Sequence, residues 1–368
     1  MTKITHEDVF RVLEKWAPKE LAYDWDNVGL QVGNYSDVTT NVLVTLDVLE
    51  AVVDEAIEQN ANLIIAHHPL LFKSLKQINI QTVQGKVIKK LLENDITVYA
   101  SHTNLDIAEG GVNDLLCEAL EITSTHPLLP VHEEKLFKLM VFVPQTHVEQ
   151  VREALGDSGA GFIGNYSHCT FQTAGQGTFM PLEGTNPYIG EKGKLELVDE
   201  LKIETVVKEK DIPTVVAAMK QAHPYEEVAY DLFPLSHVGQ TFGLGRIGTL
   251  EKTVNVETFI TNVKRAFNVD HLRVTGDLSK EIKKVAIVGG SGEKFLHHAK
   301  KAGADAYITG DVTFHHAQEA KEMGLVLIDP GHYIEKIMKH PVTEYLKNSF
   351  AQLHVIESKV NTDPFHFV

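Results

Sequence analysis

Short apolar runs alternate with amphipathic helical stretches in two separate regions of this 368-residue chain, and each run ends in polar residues. In the first region, residues 42–46, 63–66 and 96–100 read as strands, and 49–59, 83–93 and 111–120 as helices. In the second, 285–288, 306–309 and 325–328 read as strands, and 294–302, 314–323 and 333–347 as helices. Alternation of this kind argues for a parallel sheet with helices on its faces. The expected fold class is therefore α/β. The two regions, 42–106 and 285–335, run in the same order, so two similar α/β halves forming one core is the economical description. Chance likeness of βαβ units is the alternative. A helix opens the chain, with Thr5 as its cap, Asp8 three residues on, and Val9, Leu13 and Trp16 at helical spacing before Pro18. Residues 24–33 read as a loop.

The pattern changes between the two regions. Residues 136–143 read as a strand, 148–155 as a helix, 203–207 as a strand, 212–221 as a helix and 228–233 as a strand, while the glycine-dense stretch 156–193 predicts turns and hairpins. That order fits a ferredoxin-like α+β insert. The expected organisation is a first half over 1–131, an insert over 132–236 and a second half over 237–368.

Charge and composition exclude several classes. Lys plus Arg number 34 and Asp plus Glu 50, a net charge of −16, and a surface this acidic repels nucleic acid and anionic lipid. No apolar run approaches the ~20 residues of a spanning helix. The start lacks the apolar core of a signal peptide. Two cysteines, Cys117 and Cys169, are too few for a disulfide framework or a Cys-type zinc site. A cytoplasmic protein with neither membrane nor nucleic-acid partners is expected.

The 19 histidines stand out, and six form the adjacent pairs His67-His68, His297-His298 and His315-His316. Ligands of parallel α/β sheets bind outside the carboxyl ends of the strands. His67, His68, His102, Asp106, Asp311, His332 and Glu335 fall there. Neighbouring side chains in extended chain point to opposite sides, so His67 and His68 can each serve one of two neighbouring ions. The plainer reading is one packed and one exposed histidine. His332 and Glu335 share a helix face at i, i+3. Asp106 alone reads equally as a turn or cap residue. Together His67, His68, Asp106, His332 and Glu335 suit two divalent ions per subunit, zinc first, with manganese, iron or cobalt as alternatives to it, rather than calcium. Five ligands leave positions open, which marks a reactive site, and the residual positive charge favours a small anionic substrate. His102, His315 and His316 are candidate catalytic groups that move protons or contact phosphate. Capping and surface roles are their alternatives. Gly289-Gly290-Ser291-Gly292 is either a phosphate cradle or a plain tight turn.

Several segments together resemble a known family. They are Trp25-Asp26-Asn27-Val28-Gly29-Leu30-Gln31-Val32-Gly33, His67-His68-Pro69, His102-Thr103-Asn104-Leu105-Asp106, Ile308-Thr309-Gly310-Asp311 with His315-His316, and Gly331-His332 with Glu335. The family is the Nif-three-like dinuclear metal-centre proteins, also labelled GTP cyclohydrolase type-two homologues. The resemblance covers about 1–125 and 240–368. It implies that His67, His68, Asp106, His332 and Glu335 are the ligands, with Glu335 as the bridge, in a ring-shaped homohexamer. The insert looks like the PII-like domain of longer bacterial members, with His223-Pro224-Tyr225-Glu226-Glu227-Val228-Ala229-Tyr230-Asp231 as its signature. The implied function is a metal-dependent hydrolase using metal-activated water, GTP cyclohydrolase-like, on a nucleotide or other anionic substrate. A phosphoesterase and a non-catalytic regulatory scaffold with a ligand-sensing insert are the alternatives. One feature departs from the pattern: many members place the glutamate four residues after the histidine, and here the spacing is three.

Overall fold

The computed structural model describes residues 3–368 and divides into two compact units, one formed by the chain up to His132 together with Phe242–Val368, the other by Glu133–Thr241. Among the described residues no helix is long and apolar enough to cross a membrane.

The first unit is mixed α/β with two sheets. In one sheet the strands His354–Glu357, Asn41–Thr45, Leu63–Ala66 and Thr97–Ala100 run parallel, and Gly29–Val32 closes the edge antiparallel to Thr97–Ala100. In the other, Glu281–Ile287, Ala306–Ile308 and Val326–Asp329 run parallel. Arg273–Thr275 flanks them antiparallel on one side, and the segment through Arg246 and Gly248 does so on the other.

Period-two alternation explains why the first sheet needs cover on both faces. Val42, Val44, Leu63 and Ile65 point into the larger core, which also takes Val285, Ile287, Ile308 and Ile328 from the second sheet. Leu43, Ile64, Ala66 and Val98 point the other way, against Val52 and Val53 of the helix Glu50–Glu58 and Val87 and Leu91 of the helix Val83–Glu93. Each such fully buried side chain contributes about 1.5–3 kcal/mol. The opening helix His6–Trp16 starts at a capping box. Thr5 Oγ1 accepts from the Asp8 N–H, and the Asp8 carboxylate accepts from the Thr5 N–H at 2.9 Å. Val9, Phe10 and Leu13 are its buried face.

The structure corrects three local readings and adds one strand. Residues 24–33 are not all loop, because Gly29–Val32 pairs at the sheet edge. Beyond the last helix, where no element is read from the sequence, His354–Glu357 returns to the first sheet as a strand. Asp106 sits on a short helix, Thr103–Ile107, rather than in a loop. The expected helix 333–347 is a 3-10 turn, His332–Met338, followed by the α-helix Lys339–Ser349.

The second unit holds an antiparallel arrangement in which Thr170–Phe179 pairs with Glu196–Lys208, and Leu136–Pro144 lies on the other side of that strand. The helices Val148–Asp157 and Ile212–Ala222 bring Val151, Leu155, Val215 and Met219 onto Leu139, Val141, Ile203 and Val207.

A buried cation fastens the first unit near the site. Arg246 is 5% exposed. Its Nε and Nη2 donate to the two Asp114 carboxylate oxygens at 2.5 and 2.7 Å, and its remaining N–H groups donate to the carbonyls of Gly243, Gly245 and Ala108. Removing one partner of a buried pair strands the other charge. Arg246→Ala is expected to destabilise this unit by about 3–5 kcal/mol, read as a lower denaturant midpoint; an unchanged midpoint would show that the carboxylate is solvated instead.

Candidate metal centre

The strand Leu63–Ala66 continues its ladder two residues past its end, with His67 N–H donating to Thr45 O and His68 N–H to Leu46 O. The two imidazoles lie side by side, with ring centroids 5.2 Å apart, and both present Nε2 to Glu335 Oε2, so the strict pleat alternation expected for adjacent residues is not kept here. His332 and Glu335 follow the strand Val326–Asp329 on the 3-10 turn. In a 3-10 helix residues three apart eclipse each other. The spacing of three is thus the one that this turn requires, and it brings His332 Nε2 to 3.1 Å from Glu335 Oε2.

One carboxylate oxygen collects the histidines. Glu335 Oε2 lies 3.0 Å from His68 Nε2, 3.1 Å from His332 Nε2 and 3.9 Å from His67 Nε2, and His67 Nε2 lies 3.5 Å from Asp106 Oδ1. The ligand atoms form two converging groups that share Glu335: His67, Asp106 and Glu335, and His68, His332 and Glu335. His102 converges with His67 and His68 in a third group.

Each imidazole has its Nδ1 committed outward. His67 Nδ1 donates to Ser101 O at 2.8 Å. His68 pairs with Asp47 at 2.7 Å, His102 with Asp26 at 2.9 Å, and His332 with Asp311 at 2.7 Å. Such outer partners fix the tautomer and turn Nε2 inward. Asp26, Asp47 and Ser101 were not singled out from sequence, although Asp47 and Ser101 follow strand ends and Asp26 lies in the Trp25 motif.

Burial and hydrogen bonding show which atoms of the cluster are left without a partner. Burial drives His67 down to about 3, so it is neutral, and its donating Nδ1 leaves a lone pair on Nε2. That atom and Asp106 Oδ1 are buried with no hydrogen-bond partner. Burial, then the Glu335 charge, holds the Asp106 carboxyl well above its ordinary range. Burial opposes charge on His68 and His332, but the flanking carboxylates outweigh it and lift them to about 10 and about 9. Burial likewise opposes ionisation of Glu335, and hydrogen bonds from His332 and His68 overcome it. Neither His67 Nε2 nor Asp106 Oδ1 is satisfied within the cluster, a cost that a cation lying among these atoms would remove. The donor set of imidazole nitrogens and carboxylate oxygens fits a divalent transition metal.

The other candidates lie elsewhere in function. His316 pairs with Glu293 at 3.2 Å and with Thr313 Oγ1 at 2.8 Å, and His315 bonds Gln318 at 3.3 Å. Neither belongs to the converging groups. Both line a small surface hollow with Glu319 and Glu322. His297 pairs with Glu319. The Gly289–Gly292 loop offers little to an anion, because Gly289 N–H donates to Asn113 Oδ1 and Gly292 N–H to Thr309 Oγ1. Its glycines serve closeness: a Cβ on Gly290 would stand 2.7 Å from Glu335 Oε1.

The model of the Duf34/NIF3 (NGG1p interacting factor 3) family matches residues 4–364. The chain belongs to this family. A relative from Halalkalibacterium halodurans, called a GTP cyclohydrolase 1 type 2 homolog, is 51% identical over 366 residues, 98% of each chain. One of the same name from Bacillus subtilis is 48% identical over 369 residues, 99% of each. Among solved structures, a Bacillus cereus protein related to NIF3 superposes with a TM-score of 0.94 at 47% identity over the whole of both chains.

Gly290 has φ +60, which an alanine tolerates poorly. Gly290→Ala is expected to crowd Glu335 and lower affinity for zinc by about 10–100-fold, read by chelator competition on folded protein. Unchanged affinity would show that Glu335 need not hold this position.

Proposed function

We propose that this protein is a dinuclear-metal hydrolase acting on an anionic substrate that carries a planar ring, with nucleotides the first class to test. The observation that carries the reading is the pair of buried, unpartnered atoms, His67 Nε2 and Asp106 Oδ1, beside the shared Glu335 carboxylate. His67 and Asp106 would hold one ion, His68 and His332 the other, and Glu335 both. Divalent ions bound here supply Lewis-acid polarisation and activate water at neutral pH. His102 is held by Asp26 next to His67 and His68, where its Nε2 can take or return a proton.

The ring requirement comes from the site's rim. Trp25 and Phe72 are 59% and 50% exposed, and their ring centroids lie 6.4 and 6.3 Å from that of His102. They are firmly mounted. Asp26 accepts from the Thr103 N–H at 3.0 Å, and Asn27 Nδ2 donates to Leu71 O at 2.8 Å. Apolar rings held exposed beside a polar centre suit stacking on a planar ligand. The names of the relatives favour a GTP-like substrate, and phosphoester hydrolysis through the same residues is the alternative outcome. The second unit reads as the ferredoxin-like, PII-like insert, and a closed homohexamer is the assembly; sedimentation as a monodisperse monomer at micromolar concentration would remove that assembly.

The decisive experiment offers zinc- and manganese-loaded protein GTP, other nucleotides and small phosphoesters, with products separated chromatographically. Turnover should vanish on metal stripping and return on reloading; turnover indifferent to stripping rejects the reading, and none at all leaves the non-catalytic scaffold. Trp25→Ala should raise KM for a ring-bearing substrate about tenfold while sparing kcat. Glu335→Gln should cost more than one ion per chain by elemental analysis, and retention of two ions would end its shared role.

A further inference from the structure

The second unit holds a half-open cleft of 640 Å³ that shares no residue with the candidate metal centre. Its size falls within the about 300–1,000 Å³ of small-molecule sites. Phe142, Phe179, Tyr188 and Tyr225 contribute aromatic walls. Their rings are near enough to act on one guest: Phe179 and Tyr188 lie 5.7 and 6.4 Å from Tyr225 between centroids.

The charge lining this cavity is one-sided. Glu200, Glu226 and Glu227 face it, against Lys202 alone. Lys202 is already paired with Glu204 at 3.1 Å, and Glu204 is not part of the lining. Glu200 is only 7% exposed. Its Oε1 accepts from the Tyr225 hydroxyl at 3.1 Å, and burial followed by the Glu200 charge keeps that phenol protonated. Its Oε2 is uncovered because residue 177 is glycine; a Cβ there would stand 2.2 Å away. Glu226 is positioned by the Asn186 N–H at 3.0 Å. His223, behind Tyr225, fixes the turn: its Nδ1 accepts from the Tyr225 N–H at 3.1 Å and its Nε2 donates to Phe142 O at 2.9 Å.

Aromatic faces attract cations through their quadrupoles, and a buried carboxylate adds a directional partner for an ammonium group. The same lining repels phosphate and carboxylate. We infer that the cavity binds a small organic cation, an ammonium group on an apolar or aromatic body, with Glu200 receiving the ammonium and Tyr188 and Tyr225 walling the body. This inference stands on the second unit alone and is independent of the hydrolase reading.

The test uses the full chain, stripped of metal, and two probes of matched ring and opposite charge, tryptamine and indole-3-acetate, titrated calorimetrically. Tryptamine should bind saturably, with indole-3-acetate at least about tenfold weaker. Glu200→Gln keeps the side chain's shape and should weaken tryptamine about tenfold or more. Tyr188→Ala removes a half-exposed wall without touching the core and should weaken it several-fold; this variant decides the matter if Glu200→Gln misfolds. Equal affinity for both probes, tryptamine binding unchanged in the two variants, or no saturation by about 10 mM tryptamine each overturns the inference.

Discussion

A buried glutamate that must be neutralised organises the histidine cluster of the first unit. Glu335 is 3% exposed and touches three imidazoles through one oxygen. A carboxylate in that setting persists only with cations around it. In the metal-free protein two protonated histidines, His68 and His332, fill that need. They leave His67 and Asp106 unsatisfied. Protons therefore compensate one side of Glu335 and not the other, and the donor set left over is one that a divalent ion would fit. The glycines around it follow from the same constraint. Gly289 and Gly290 pass close to Glu335, where any side chain would collide.

Much of the core was legible in the sequence because mostly apolar short runs alternate with amphipathic helical stretches in both regions, and that alternation has few other solutions. The converging ligands were legible for the related reason that parallel strands deliver their carboxyl ends to one edge. The less legible parts are those decided by contacts distant in sequence. His354–Glu357 is a strand only because Asn41–Thr45 offers it a free parallel edge, and Gly29–Val32 only because Thr97–Ala100 does. The 3-10 turn over His332–Met338 carries no propensity signal; what marks it is the approach of His332 Nε2 to 3.1 Å from Glu335 Oε2.

The supporting carboxylates illustrate the same limit. Asp26, Asp47 and Asp311 are isolated acidic residues in the sequence, each with ordinary surface or turn roles available. Their function is defined by a histidine 76, 21 or 21 residues away. Asp311 has φ +55, a conformation that aspartate tolerates better than most residues, and this turns its carboxylate toward His332. His315 and His316 drew attention by adjacency to Asp311, yet the helix Phe314–Glu322 carries them to Glu293 and Gln318 instead.

These outer carboxylates also change the electrostatic argument. From ligands alone, a two-ion centre would retain positive charge and draw in anions. With Asp26, Asp47 and Asp311 one imidazole away, that surplus is offset before it reaches solvent. Each outer carboxylate raises the basicity of its histidine and so favours metal retention, while weakening the field felt outside. On a chain of net charge −16, long-range steering then contributes little to capture of an anion. Under the proposed function, affinity would then come from contact: direct ligation at open metal positions and stacking against Trp25 and Phe72. Such a site would select substrates by the shape and planarity of the group it holds, and only secondarily by their charge.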